Sequence, residues 1–109
     1  MSYKILVTAN FRQQAKRQAK KHRSLKSDLV RLEAELMEKP TLGTPLGQDC
    51  YKIRLKVTSK GKGKSGGMRV ITLVVTLSEN IYLLSIYDKA DKENIPDKEL
   101  SKLINDVKK

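Results

Sequence analysis

Residues 51–87 read YKIRLKVTSKGKGKSGGMRVITLVVTLSENIYLLSIY, and three strands are legible in them. Tyr51 to Thr58 alternates strictly: Tyr51, Ile53, Leu55 and Val57 point one way, Lys52, Arg54, Lys56 and Thr58 the other. That period of two is the signature of a strand with one face in a core. Arg69 to Leu77 and Ile81 to Tyr87 are more continuously apolar and β-branched, as central strands are, and Ser78-Glu79-Asn80 between them reads as a hairpin turn. The stretch predicts an antiparallel meander of three strands. Residues 51–71 also hold seven Lys or Arg and no Asp or Glu, a concentration of like charge that a negative partner would relieve.

Upstream, Tyr3 to Ala9 is a short apolar run, read as a strand, and Asn10 after it can cap a helix. The helix runs from Phe11 to about Lys21, with Phe11, Ala15 and Ala19 on one face and Arg12, Lys16, Arg17, Lys20 and Lys21 over the rest. A second helix starts near Ser24 or Ser27, repeats Leu25, Leu29, Leu32 and Leu36, and ends at Lys39-Pro40. The short connection at His22 to Ser24 makes the two a hairpin. Pro40 to Asp49 is rich in Pro, Gly and Thr and reads as a loop. Downstream, the polar stretch DKADKEN leads through Pro96-Asp97 into a last amphipathic helix marked by Leu100, Leu103, Ile104 and Val107. The sum is one α+β domain over residues 1–109: N-terminal strand, α-helical hairpin, three-stranded antiparallel meander, C-terminal helix. The helices are expected on one side of the sheet, with the first strand at an edge or beside the last strand, leaving a sheet face for a ligand.

A formal charge of +11, from 23 basic and 12 acidic residues, favours a polyanionic partner: nucleic acid first, then an acidic protein, then an anionic membrane surface. No apolar run reaches the ~20 residues a spanning helix needs, and the start MSYKILVTANFRQQ has no secretory h-region, so a cytoplasmic location is expected. The one cysteine, Cys50, permits no internal disulfide and no thiolate metal site, and reads as a free buried thiol. The residues call for no cofactor. The loop SKGKGKSGG is not a phosphate-binding loop, because Thr58 stands five positions before Gly63 where a glycine is needed and a strand, not a helix, follows. Its Lys60, Lys62 and Lys64 suit an adaptable arm that follows a phosphodiester backbone, or a solvated hairpin tip.

Lys52, Arg54 and Lys56 share one strand face at intervals of about 6.6–7 Å, a repeat close to that of phosphates in an extended single strand. Arg69, just inside the neighbouring strand, can bring its planar fork into the same area. His22, the only histidine, reads as a capping or surface residue. There is no Ser/His/Asp arrangement, and no set of His or Cys with metal-ligand spacing. An enzyme built from these groups would work without a metal. Cleavage of RNA fits that limit, since the 2′-hydroxyl is the nucleophile and the protein supplies a base, an acid and cations. A lysine crowded by other cations becomes a better base, and arginine stabilises the developing phosphorane.

The segments DCYKIRLK, MRVITLVV and IYLLSIYDK, in this element order, resemble the RelE/ParE superfamily of bacterial toxins, and the KGKGKSGG insert with the following IYDK is similar to a RelE-type or HigB-like branch. The resemblance implies a type II toxin that cleaves mRNA in the ribosomal decoding site, with a cognate antitoxin covering its basic face. It implies that Lys52 and Arg54 serve as base and electrostatic stabiliser, that Lys56 is a further basic contact, that Arg69 steadies the phosphate and that Lys89 acts near the leaving group. Arg54 stands where the family has lysine, which leaves Lys52 as the base. The family's C-terminal tyrosine aligns near Ile95, and Tyr87 is the nearest aromatic in its place. The alternatives are a gyrase-directed ParE-like toxin, a relative that only binds antitoxin and nucleic acid, and a constitutive RNA-binding protein.

Overall fold

The computed structural model describes residues 2–60 and 67–108. Its elements are β1 (Lys4–Val7), α1 (Ala9–Lys21), α2 (Leu25–Glu38), β2 (Thr44–Gly47), β3 (Cys50–Leu55), a 3-10 turn (Thr58–Lys60), β4 (Met68–Val75), β5 (Asn80–Asp88) and α3 (Asp97–Lys108). The strands form one sheet in the order β1-β5-β4-β3-β2, with β1 parallel to β5 and the other pairs antiparallel. The first strand does lie beside the last. The expected order holds with one strand added, since β2 falls inside the segment read as a loop. Pro45 and Gly47 are tolerated there because β2 is an edge strand. Gln48 and Asp49, both at positive φ (54° and 64°), close a two-residue hairpin to β3.

Two local assignments shift. Thr8, not Asn10, caps α1, its Oγ1 accepting from Phe11 N–H at 3.2 Å while donating to Leu83 O at 2.8 Å. The helices also do not share one side of the sheet. Phe11 of α1 and Leu25, Leu32 and Leu36 of α2 pack with Ile53, Val70, Ile81 and Leu83 on one face. Leu100, Leu103 and Ile104 of α3 pack with Cys50, Ile71, Leu73 and Leu84 on the other. Both faces being covered explains why β4 and β5 are largely apolar on both sides rather than alternating. Cys50 is a free buried thiol, pushed up to about 11 chiefly by burial, with Asp49 adding and Lys108 opposing. No helix among the described residues is long and apolar enough to cross a membrane.

One irregularity decides which side chains meet. Leu83 pairs with Thr72 and Ser85 with Ile71, so Leu84 is an extra residue in β5. A single inserted residue reverses the parity of a strand beyond it. Ile81 and Leu83 thus face the α1/α2 layer, whereas Tyr87, which odd parity would place with them, joins the α3 side.

The chain leaving β3 is fastened to α2 by a carboxylate only 1% exposed, that of Asp28. It accepts from Ser24 Oγ at 2.7 Å, Thr58 N–H at 3.1 Å, Thr58 Oγ1 at 2.8 Å and Arg31 Nη1 at 3.0 Å. Arg31 Nη2 donates onward to Lys56 O at 3.0 Å. Burial raises the Asp28 pKa, but the hydrogen bonds from Ser24, Thr58 and Arg31 outweigh it and hold the group below its ordinary value. A depressed folded-state pKa adds stability above the unfolded value and loses it as pH falls through the folded one. Asp28→Asn is therefore expected to lower stability by about 2 kcal/mol near neutral pH. In urea melts across pH, its gap from wild type should narrow as pH falls below about 4; a gap independent of pH would mean that the charge contributes nothing.

Candidate nucleic-acid interface

Because Ile53 and Leu55 are committed to the α1/α2 core, Lys52 and Arg54 must face the α3 side of β3. Lys56 lies just past the strand. β2 stops pairing at Lys52, so the remaining edge of β3 is open. A cleft of about 470 Å3 forms along it, and Lys52, Arg54 and Lys56 line this cleft together with Arg31 and Glu35 of α2.

A second grouping runs across the strands. Arg54 pairs with Arg69 and Arg69 with Tyr87, and residues directly opposed in antiparallel strands share a face. The row Arg54–Arg69–Tyr87 exists only because β5 carries its extra residue. Gly67 allows β4 to start this close to β3, since a Cβ there would run into the Leu55 carbonyl oxygen. Arg69 is 4% exposed and donates to Met68 O at 3.2 Å, so its guanidinium lies beneath the surface of the row. Tyr87 is 5% exposed. Burial raises its pKa most, the Arg69 charge pulls the other way and Glu99 adds to the rise. Its Oη is buried with no hydrogen-bond partner.

The segment between β5 and α3, polar in sequence and read as a connection, folds over this face and supplies residues that sequence reasoning missed. Asn94 Oδ1 accepts from Lys52 Nζ at 2.8 Å. The Lys92 ammonium sits 4.9 Å from the Tyr87 ring centroid and pairs with Glu99 at 2.8 Å. Ile95 is a buried member of the α3 core. The clue available in the sequence was the mixture of Lys, Glu and Asn next to an apolar Ile95, without a turn signature until Pro96.

Lys52, Arg54 and Lys56 thus share the cleft, Arg54, Arg69 and Tyr87 share the row, and Lys89 stands beyond the end of β5, its N–H donating to Gly67 O at 3.3 Å. Lys62, Lys64 and the Lys60 side chain lie outside the described residues. His22 caps the C-terminus of α1, its Nε2 3.6 Å from Asp88 Oδ2. Among the described residues, no three His, Cys, Asp or Glu gather in a way that could hold a metal ion.

A mutant of E. coli toxin RelE in the free state is 19% identical, with 98% of this chain and 99% of that chain covered and a TM-score of 0.63. The isolated E. coli RelE toxin is 18% identical over 96% of this chain and 98% of that one, at a TM-score of 0.60. A mutant RelE in complex with an antitoxin RelBc peptide is 19% identical over 94% of each chain, at 0.57. The fold is that of these small α+β toxins. A family profile described as the RelE toxin of the RelE / RelB toxin–antitoxin system matches residues 3–108, and the chain belongs to that family.

Removing a buried hydroxyl that has no partner costs nothing in hydrogen bonding. Tyr87→Phe is expected to stabilise the protein by about 1 kcal/mol in urea melts. It should also abolish the highest-pH component of the ultraviolet tyrosinate titration, and a destabilised variant would mean that Oη has a partner after all.

Proposed function

We propose that the protein is the toxin of a type II toxin–antitoxin pair that cleaves mRNA on the ribosome. The observation that carries the reading is that Lys52, Arg54 and Lys56 follow one another along the open edge of β3 and that Arg54 stands directly across from Arg69. In this reading the phosphodiester backbone runs along the open edge of β3, on the side that carries Lys52 and Arg54. Lys52 Nζ takes the proton from the ribose 2′-hydroxyl, whose oxygen attacks the adjacent phosphorus. Arg54 contacts the equatorial oxygens of the phosphorane directly, and Arg69 adds charge from beneath, where poor screening makes it count for more. The bond from phosphorus to the 5′-oxygen then breaks, Lys89 returns a proton to that oxygen, and the products are a 2′,3′-cyclic phosphate and a 5′-hydroxyl. Asn94 Oδ1, accepting from Lys52 Nζ, orients that nitrogen. The reaction as drawn uses side chains alone. The cognate antitoxin is an acidic or amphipathic chain that covers the same basic face in the cytoplasm.

A second reading has its own observation. Ile95 and Tyr87 are both buried, so the C-terminal segment offers no exposed tyrosine to orient the 2′-hydroxyl. That favours a toxin acting without RNA cleavage, either gyrase-directed or working through binding alone.

Inducing wild-type chain, Lys52→Ala and Arg69→Ala, with primer extension on translated messages, separates the two. Growth arrest with in-frame cuts is expected from wild type. Lys52→Ala should slow cutting by about 10²–10⁴-fold and Arg69→Ala by about 10²–10³-fold. Arrest without cuts moves the target to gyrase or elsewhere, and no arrest from folded protein leaves binding as the function.

A further inference from the structure

Along β5, helix α1 stands in for a missing strand. β1 pairs with β5 only from Asn80 to Leu83. Beyond that point α1 offers a polar side chain at every fourth residue: Asn10 Nδ2 donates to Leu84 O at 2.9 Å, and Gln14 Oε1 accepts from Ile86 N–H at 3.0 Å and from Ser85 Oγ at 2.9 Å. Gln18 is the next rung. Its Oε1 is buried and has no hydrogen-bond partner, a state that is unfavourable unless something fills it. Gln18 lines a cleft of about 490 Å3 between α1 and the end of β5, with Arg17, Lys20 and Lys21 against one carboxylate, Asp91. The helix dipole accounts for Lys20 and Lys21 in the last turn, but not for Arg17 or for the unpaired oxygen.

We infer that this cleft is an RNA subsite holding a nucleotide that flanks the one cut. The inference rests on the reading of the basic face as an RNA-cleaving site. A nucleotide supplies both things the cleft lacks: phosphate for Arg17, Lys20 and Lys21, and a ribose hydroxyl or base amino group to donate to Gln18 Oε1. Position supports the same ligand. Tyr87 lines this cleft and also ends the row that begins at Arg54. Two strand spacings, about 10 Å, separate Arg54 from Tyr87, and Lys92 above the ring keeps the passage cationic. A single strand leaving the β3 edge at Arg54 crosses the sheet end and reaches α1 within one or two nucleotides.

The test is fluorescence anisotropy of the full chain with single-stranded 2′-O-methyl RNAs of three and eight nucleotides, which cannot be cut. Wild type, Arg54→Ala, Gln18→Leu and the Arg17→Ala/Lys21→Ala double variant are compared after circular dichroism confirms their folding. Wild type should gain affinity from the longer RNA and the double variant should lose about tenfold of it. Two lost phosphate contacts should make its slope of log K against log salt shallower by about 1.4. Gln18→Leu should weaken the longer RNA with the slope unchanged. If Arg54→Ala weakens binding while the α1 variants match wild type at both lengths, the subsite is wrong and the basic-face reading stands. If wild type binds neither RNA, the subsite falls, while the basic-face reading is decided by the primer-extension mapping on translated messages. Preferential binding of an acidic peptide through Arg17 and Lys21 would overturn the nucleotide assignment in favour of a protein partner.

Discussion

A side chain on a strand has only two directions, and in a sheet covered on both faces each direction leads toward a core. Everything at the basic face follows from how this chain meets that constraint. Committing Ile53 and Leu55 to the α1/α2 layer sends Lys52 and Arg54 to the α3 side. They escape burial because they lie at the open edge of β3 and because α3 packs over Cys50, Leu73 and Leu84, toward the far end. Arg69, one strand further in, does not escape. A central strand flanked by two others leaves a guanidinium 4% exposed, and the residue acts as charge held under the surface.

That geometry divides the labour among the cations. Half-buried Lys52 and exposed Arg54 keep access to water, while a buried guanidinium has already lost its hydration during folding. Its field is screened less than that of a surface lysine at equal distance. Of the carboxylates nearby, Glu99 is taken by Lys92, and Asp88 by the Ala90 N–H and His22. With 23 basic against 12 acidic residues, the chain has little internal negative charge left for its basic face.

Much of this was legible in the residues. Period two exposed the basic row of β3, Leu25 to Leu36 marked α2, and the spacing of Leu100, Leu103 and Ile104 marked α3. What escaped the sequence has identifiable physics. β2 was hidden because Pro45 and Gly47 read as loop residues, although an edge strand tolerates both. The side taken by α3 depends on a connection whose only apolar anchor is Ile95. The extra residue Leu84 leaves no trace in a run that is apolar on both faces, so the meeting of Tyr87 with Arg69 could not be foreseen. Asn94 and Lys92 looked like ordinary linker residues because nothing local ties them to Lys52 or Tyr87.

The contact between α1 and β5 behaves as a vernier. Four residues of helix advance about 6.0 Å, and two residues of strand about 6.6–6.8 Å, so the two scales drift apart by some 0.6–0.8 Å at each graduation. Coincidence at Asn10 and Leu84 survives to Gln14 and Ile86 but is spent by Gln18. Mismatched pitches, together with the end of β5 at Asp88, thus limit how far this helix can seal the strand edge, and the opening falls at Gln18.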